Sequence, residues 1–258
     1  MAAHRPRFVE GGSWLKGWER VTIGESGADV FRRGDVFAKL CGAHGVQGLR
    51  DERDRVEWLA GTAIPGATVV DWVESADSAC LMTTAVPGVP GDSLAVEDRV
   101  RAMASLGRVL RELHSLTGCP FERPLASVVA LAEDVVRRGA VNPAFLTDEW
   151  RKLEPAELLE RVVAESPYIE SVQELVVCHG DLCLPNVLFD PSTLEVTGLI
   201  DLGRLGITDR YLDLALATIQ IHDEWSTDPA PFLTSYGLPQ PDQRRLGFHR
   251  LLDPLTWG

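Results

Sequence analysis

Two polar motifs set in apolar sequence constrain this chain more than any other feature. The first is His179-Gly180-Asp181, with Asn186 five residues further on, and the second is Ile200-Asp201. Apolar runs at 174–178, 187–189 and 196–200 predict short strands, the last two joined as a hairpin around residues 190–193. Strands then hold both ends of the loop, so a rigid scaffold aims its polar groups.

The order Asp181, Asn186, Asp201 matches the groups that phosphoryl transfer requires. In kinases an Asp accepts the proton of the substrate hydroxyl, an Asn a few residues later binds metal, and a further Asp holds the metal that bridges the phosphates. The sequence therefore predicts Asp181 as the catalytic residue, and Asn186 and Asp201 as ligands of Mg²⁺. A turn capped by Asp and Asn is the alternative, which the hairpin and the second motif disfavour.

These motifs resemble those of the aminoglycoside phosphotransferases, bacterial resistance enzymes with a protein-kinase-like fold. Further blocks are similar to the branch of that family that acts on streptomycin, and they lie at 24–27, 30–35, 37–39, 52–55, 87–90, 119–123, 140–143 and 252–258. The resemblance covers nearly the whole chain. It implies ATP-dependent O-phosphorylation of an aminoglycoside, with the 3''-hydroxyl of streptomycin as the expected acceptor and antibiotic resistance as the result.

The fold class that follows is α+β, in the bilobal protein-kinase-like arrangement. Residues 1–85 would form a small nucleotide-binding lobe of antiparallel strands with one helix, ending in the hinge, and residues 86–258 a larger, mostly helical catalytic and substrate-binding lobe. Apolar and β-branched runs predict the strands of the small lobe at 20–23, 29–32, 36–40, 68–73 and 79–83. Periodicity predicts helices at 47–60, 97–116, 127–139, 156–166, 210–221 and 244–252.

Lys39 and Glu52 are the predicted nucleotide-binding pair. Glu52 falls on the apolar face of the helix over 47–60, where a carboxylate needs a partner, and Lys39 lies thirteen residues upstream at the end of a strand. The alternatives are a solvent-facing lysine and a surface glutamate. The glycine-bordered turn at residues 24–27 is expected to bring Ser26 near the phosphates, with an ordinary hairpin turn as the alternative. The resemblance implies that the Thr83 carbonyl and the Ala85 amide contact adenine.

The resemblance also assigns supporting and substrate-binding residues. Asp253 and the terminal carboxylate of Gly258 would bind the cationic sugar together with Asp181. Arg210 and Asp213 would brace the catalytic loop. His179 would fix that loop, and His114 is interpreted as a hydrogen-bonded packing residue of a core helix. Thr208 or Asp209 is predicted to cap the helix over 210–221, while acidic residues at 148–154 either wall the sugar site or form a solvated face.

Composition narrows the partners. The formal net charge of −13 over 258 residues disfavours nucleic acid and anionic membranes, and it favours a small cationic ligand. No apolar run has the length of a membrane span, and the N-terminus lacks the apolar stretch of a secretory signal. An odd number of cysteines, five, then suggests reduced thiols in the cytoplasm. A monomer is the default expectation.

Two other readings stay open at this stage. Another small-molecule kinase of the same fold, of the choline, homoserine or fructosamine type, would carry the same catalytic residues. A pseudokinase that binds nucleotide and serves as an interaction module belongs to a different class. A protein kinase is disfavoured because residues 201–210 leave no room for a long activation segment.

Overall fold

The computed structural model describes residues 16–21 and 29–258, and its contacts divide the chain into two compact units. Unit 1 contains the described residues up to Gly88 and also Thr197–Gly203. Unit 2 contains Val89–Val196 and Arg204–Gly258. No helix in the described ranges is both long and apolar enough to cross a membrane.

Unit 1 is built on an antiparallel sheet whose strands lie in the order β1-β2-β3-β5-β4. The strands are β1 (Glu19–Val21), β2 (Asp29–Arg33), β3 (Val36–Gly42), β4 (Val69–Glu74) and β5 (Ser78–Thr84). Helix α1 (Val46–Ala60) buries Leu49 against Ala79 and Leu81 of β5. The predicted meander of the first three strands and the helix that follows it are confirmed.

Residues Thr197–Gly203 fold with unit 1, which the sequence analysis did not predict. The Leu199 amide donates to the Pro65 carbonyl at 3.0 Å, forming a parallel bridge at Gly66. A Cβ atom on Gly198 would come within 2.5 Å of Val86, so only glycine permits this close packing. Asp201 is thereby placed in the same unit as Lys39 and Glu52. The predicted functional boundary between residues 85 and 86 stays a prediction.

Unit 2 is mainly helical and carries short antiparallel strand pairs. Its helices are α2 (Arg99–Ser115), α3 (Leu125–Arg137), α4 (Pro155–Val172), α5 (Tyr211–Asp223), α6 (Ala230–Tyr236) and α7 (Gln243–Leu252). Its strands are β6 (Val89–Pro90), β7 (Leu175–Cys178), β8 (Val187–Phe189) and β10 (Gly206–Asp209), and β9 (Val196–Leu199) begins here and runs on into unit 1. Strand β6 pairs with β8, and β7 pairs with β10. The predicted α+β class is confirmed.

Helix α4 is longer than predicted because it continues through Pro167. Proline removes the hydrogen bond to the carbonyl four residues earlier, which belongs to Val163. Val163 itself is 45% exposed. Ile169, beyond the proline, is fully buried in a cluster with Leu158 and Val162. The packing of this helical face outweighs the local cost of the proline.

Strand β10 and helix α6 were not predicted. Asp209, one of the two residues predicted to cap α5, makes its shorter contacts with α7 instead. Asp209, at the end of β10, accepts from Arg245 at 2.6 Å and from His249 at 3.2 Å. Its contact with the Tyr211 amide is longer, at 3.4 Å. Asp209 therefore forms a buried ion pair to α7, which joins that helix to the strand pair β7–β10.

Candidate active site

The catalytic loop, residues 179–186, connects β7 to β8. Gly180 adopts φ +82°, and a Cβ atom there would overlap the Arg204 carbonyl and the Arg123 guanidinium. Only glycine therefore allows the loop to pass this point. Arg123 donates to the Gly180 carbonyl at 3.0 Å. Burial lowers the pKa of Arg123 to about 10, with a further contribution from Arg204.

The loop folds back on Asp181 and orients its carboxylate. The Cys183 amide donates to the Asp181 carbonyl at 2.8 Å, which closes a tight turn. The Asn186 side-chain amide donates both to that carbonyl, at 3.0 Å, and to Oδ2 of Asp181, at 3.1 Å. The Cys183 thiol donates to Oδ1 at 3.3 Å. Asp181 is only partly buried, so a ligand can reach a carboxylate whose orientation is already set.

Asp213 of α5 binds the backbone at the start of the catalytic loop. Its carboxylate accepts from the His179 amide at 2.7 Å and from the Gly180 amide at 2.9 Å. His114 of α2 contacts the same carboxylate at 3.2 Å and the Tyr236 hydroxyl at 2.7 Å. Burial opposes ionisation of Asp213, but the hydrogen bonds from His114 and from the Gly180 amide, with the electrostatic interactions of His114 and His179, outweigh it and lower the pKa of this carboxyl. The bracing contacts predicted for Asp213 and the packing role predicted for His114 are present.

His179 and Arg210, the other two residues predicted to support the loop, differ in what they contact. His179 is fully buried, and its Nδ1 accepts from the Asp181 amide at 3.2 Å, so it contacts the loop as predicted. Arg210 pairs with Glu174 at 3.5 Å, just ahead of β7, and its guanidinium lies over the Tyr236 ring. Arg210 therefore supports the strand that leads into the loop, whereas Asp213 holds the loop itself.

In unit 1, Lys39 is bound by two carboxylates. Its Nζ lies 2.8 Å from Glu52 and 3.0 Å from Asp201, and 18% of its side chain is exposed. Burial alone would lower the pKa of Lys39, but the two carboxylates raise it well above its usual range, so the lysine stays cationic. Lys39 and Glu52 thus form the predicted pair, and the solvent-facing alternative is wrong. Asp201 has a left-handed φ of 58°, which few residues other than Gly, Asn and Asp tolerate.

The end of β5 differs from the sequence prediction. The Ala85 amide donates to the Asp35 carbonyl at 2.8 Å, so this donor is already used within the sheet. Backbone groups of alternate residues face the same neighbour, and Thr83, which pairs with Phe37, therefore also directs its carbonyl toward β3. Thr84 faces the opposite edge, where its amide donates to the Thr68 carbonyl at 2.9 Å. Ser26 lies outside the described residues.

Asp253 lies in a buried cluster at the C-terminal end of α7. Its carboxylate is 3.7 Å from Arg204 and 3.4 Å from Nε1 of Trp257, and the Arg204 guanidinium stacks over the Trp257 ring. Burial raises the pKa of Asp253 to about 6, Asp181 adds to the shift, and the arginines Arg204 and Arg123 oppose it. Gly258 is exposed, and a Cβ atom there would come within 2.5 Å of the Ala140 carbonyl.

Three residues of this site were missed as functional residues by sequence reasoning. Arg123 lies in a stretch that is similar to the family at 119–123, whereas Cys183 and Arg204 lie in or beside the two polar motifs without a predicted role. Arg204 comes three residues after the second motif, and Cys183 lies inside the first, so their positions were a usable signal. The contacts that give them a role join distant parts of the chain and were not readable locally.

Asn186 and Asp201 each keep an oxygen available for a divalent cation. Nδ2 of Asn186 is used by Asp181, and Oδ1 of Asp201 by Lys39, whereas Oδ1 of Asn186 and Oδ2 of Asp201 have no hydrogen bond from the described residues. Amide and carboxylate oxygens are the ligands that Mg²⁺ prefers. The donor set therefore fits the predicted metal. The convergence of Asp181, Asn186 and Asp201 on one cation stays a prediction.

Comparisons with known proteins agree on one family. The model of the phosphotransferase enzyme family matches residues 17–249. A streptomycin 3''-kinase from Streptomyces griseus is 47% identical, with 97% of this chain and 95% of that protein covered. An aminoglycoside 3'-phosphotransferase from Streptomyces fradiae is 38% identical, with 92% and 94% covered. A solved structure of the aminoglycoside phosphotransferase APH(3'')-Id from Streptomyces rimosus, in complex with ADP and streptomycin, is 42% identical, covers 94% and 93%, and has a TM-score of 0.87.

Proposed function

Because this chain belongs to the phosphotransferase enzyme family, we propose that it transfers the γ-phosphate of ATP to streptomycin, at the 3''-hydroxyl, and so inactivates the antibiotic. The observation that carries this proposal is the identity of 47% to a streptomycin 3''-kinase over nearly the full length of both chains. The preserved set of Lys39, Glu52, Asp181, Asn186 and Asp201 supports an active enzyme over a nucleotide-binding pseudokinase.

In the proposed reaction, Asp181 acts on the acceptor hydroxyl. The hydroxyl oxygen forms a bond to the γ-phosphorus while the bond between that phosphorus and the bridging oxygen of ADP breaks, and the hydroxyl proton passes to Asp181. Proton acceptance by the Asp is late, and most of the rate enhancement comes from alignment and charge stabilisation. The hydrogen bonds from Asn186 and Cys183 support this role because they hold the carboxylate in one orientation.

Residues of unit 1 hold the nucleotide. Lys39, kept cationic by Glu52, is the group that binds the phosphates, and the turn at Ser26 is proposed to contact them as well. At the adenine, we assign the Thr84 carbonyl and the Val86 amide in place of Thr83 and Ala85, because the Ala85 amide is used by Asp35. Among the described residues, the Val86 amide has no hydrogen-bond partner, and the Thr68 amide donates to the Thr84 hydroxyl, not to its carbonyl.

The metal ligands are proposed to be Asn186 and Asp201. Bound Mg²⁺ would neutralise charge on the phosphate oxygens as the β,γ-bridge breaks. Asp201 contributes in a second way, because it also accepts from Lys39 and so fixes the lysine that binds the phosphates.

Acidic residues provide the site for the antibiotic. Streptomycin carries guanidinium groups, and planar guanidinium pairs well with a carboxylate. Asp253 is suited to this role because only 14% of its side chain is exposed, so its carboxylate is poorly solvated. Arg204, at 3.7 Å, neutralises the negative charge of that carboxylate only in part. The backbone of Gly258 is also proposed to contact the antibiotic. We further propose a monomer acting in the cytoplasm, where ATP is available and thiols stay reduced.

We expect the purified protein to phosphorylate streptomycin in a coupled ADP-release assay, with the product position mapped by NMR. Kanamycin, choline, homoserine and a fructosamine serve as competing acceptors, and EDTA should abolish turnover by removing Mg²⁺. Expression in a streptomycin-sensitive bacterium should confer resistance. Phosphorylation of kanamycin but not of streptomycin would assign the chain to another acceptor. Absence of turnover with every acceptor would favour the pseudokinase.

The affinity for the cationic substrate should depend on pH through Asp253. Its pKa in the folded protein is about 6, raised by burial and by Asp181 against the opposing Arg204, Arg123 and the Trp257 N–H. Protonation removes the negative charge that would pair with a guanidinium, so KM for streptomycin should rise roughly tenfold between pH 8 and pH 5. KM for ATP, measured in parallel, serves as the internal control.

Asp253→Asn tests the assignment of this pH dependence. The variant should have a high KM for streptomycin at both pH values, because its amide carries no charge to lose. The sign for stability is opposite, since a carboxyl whose pKa is raised on folding destabilises the fold as the pH rises from about 4 to 6. A pH profile of KM that is the same in wild type and in Asp253→Asn would contradict the role of Asp253.

A further inference from the structure

Both carboxylate oxygens of Asp181 accept a hydrogen bond from its own loop. Oδ2 accepts from the side-chain amide of Asn186 at 3.1 Å, and Oδ1 accepts from the thiol of Cys183 at 3.3 Å. A sulfur donor bonds over a longer distance than oxygen or nitrogen, so 3.3 Å is a full contact for a thiol. The thiol is the only side-chain donor to Oδ1 among the described residues. It therefore sets the rotation of the carboxylate together with Asn186.

The backbone places Cys183 for this contact. Its amide closes the turn onto the Asp181 carbonyl at 2.8 Å, which brings the two side chains to the same side of the loop. Cys183 precedes the helical turn Leu184–Asn186, and the neighbouring Leu182 and Leu184 are almost fully buried. The residue is thus held from both sides and has little freedom to turn its thiol away from Asp181.

The surroundings keep this thiol protonated. Burial raises the pKa of Cys183 well above its usual range, and the carboxylates of Asp181 and Asp253 add to the shift against Arg204. A thiolate could not donate a hydrogen bond, whereas the neutral thiol can. The group is also far less nucleophilic than an exposed cysteine, so its placement in the loop suits a structural contact to the catalytic carboxylate.

We propose that Cys183 is a positioning residue for the phosphoryl transfer, whose S–H group holds Asp181 in the orientation that receives the proton of the acceptor hydroxyl. The inference rests on the proposed function, because it requires Asp181 to act on an acceptor. Cys183 touches neither substrate in this role. Its contribution is alignment, which affects the chemical step and leaves the binding of ATP and antibiotic unchanged.

The test compares Cys183→Ala with Cys183→Ser in single-turnover phosphorylation of streptomycin, enzyme in excess, so that product release does not mask the chemical step. Alanine removes the donor and should slow the chemical step roughly tenfold, while KM for both substrates changes less than about twofold. Serine keeps an O–H donor at the same position and should retain at least about half of the wild-type rate. Cys119→Ala, which removes a buried thiol from the same unit, should leave the rate unchanged.

Infrared spectroscopy of the S–H stretch gives a readout that packing alone would not move. The difference spectrum between wild type and Cys183→Ala isolates the band of this thiol, and Asp181→Asn should shift it by weakening the acceptor. An unshifted band would overturn the proposal, and so would an alanine variant with the wild-type rate, or alanine and serine variants that lose the same activity. If Cys183→Ala impairs folding, the rate of Cys183→Ser and the shift of the S–H band test the proposal instead. Failure of the wild-type enzyme to phosphorylate any acceptor would instead refute the proposed function.

Discussion

Replacing Asp181 with alanine should lower the rate of streptomycin phosphorylation by roughly 10³-fold. The variant loses the group that orients the acceptor hydroxyl and receives its proton. Among the described residues, no other carboxylate accepts the hydrogen bonds of Cys183 and Asn186, so none is placed to substitute for it. ATP binding should change little, because the nucleotide is assigned to Lys39 and its partners in unit 1. The measurements are single-turnover rates and nucleotide affinity by fluorescence or calorimetry.

The matched control for this variant is Asp190→Asn. Asp190 lies in the β8–β9 turn of the same unit and accepts from the Ser192 and Thr193 amides, a role that the oxygen of an asparagine preserves. The control should keep the wild-type rate and thermal stability. If Asp181→Ala phosphorylates streptomycin at a rate within about fivefold of wild type, the mechanism proposed above is wrong.

Asp213→Asn should have the largest effect on stability. The carboxylate is fully buried and receives the amides of His179 and Gly180 together with His114, so both of its oxygens are engaged. An asparagine keeps one acceptor oxygen but directs an N–H₂ group at another donor. Breaking a buried charged network in this way costs about 3–5 kcal/mol. For a chain of this size that corresponds to a fall in Tm of roughly 10 °C.

Scanning calorimetry measures this loss, and Asp223→Asn, in the last turn of the same helix, is the control. Asp223 is exposed and bonded to its neighbour His222, so its replacement should change Tm by no more than about 2 °C. Hydrogen exchange adds a local readout, since the amides of His179 and Gly180 should exchange faster in Asp213→Asn. Unchanged Tm and unchanged protection of these amides would show that Asp213 does not hold the loop.

The sequence alone predicted most of the fold's elements and the contact between Lys39 and Glu52 in the candidate site. Alternating and helical apolar patterns predicted the strands of unit 1 and helix α1, because each pattern reports which face of a local element is buried. The same logic identified Glu52 as a carboxylate on an apolar face that required a cation. Lys39 was predicted to supply that cation, and its Nζ lies 2.8 Å from Oε2 of Glu52.

Prediction failed where local signals competed with packing. The helix predicted at 156–166 stops before Pro167, yet the buried face around Ile169 carries helix α4 onward. Asp209 had the sequence position of a helix cap, but Arg245 and His249, far along the chain, turn it into an ion pair. At Ala85 the family resemblance suggested a free amide, while the strand register gives that amide to Asp35.

The sequence by itself determined which groups are available and in what order, since catalytic motifs and periodic patterns are local properties of the chain. Tertiary structure alone decided which distant residues meet. It bound Lys39 to Asp201 across 162 residues, placed Asp213 under the catalytic loop, and directed Arg123 at Gly180. The physical reason is that such contacts depend on backbone register, left-handed φ angles and the space left by glycine, none of which a residue's own neighbours specify.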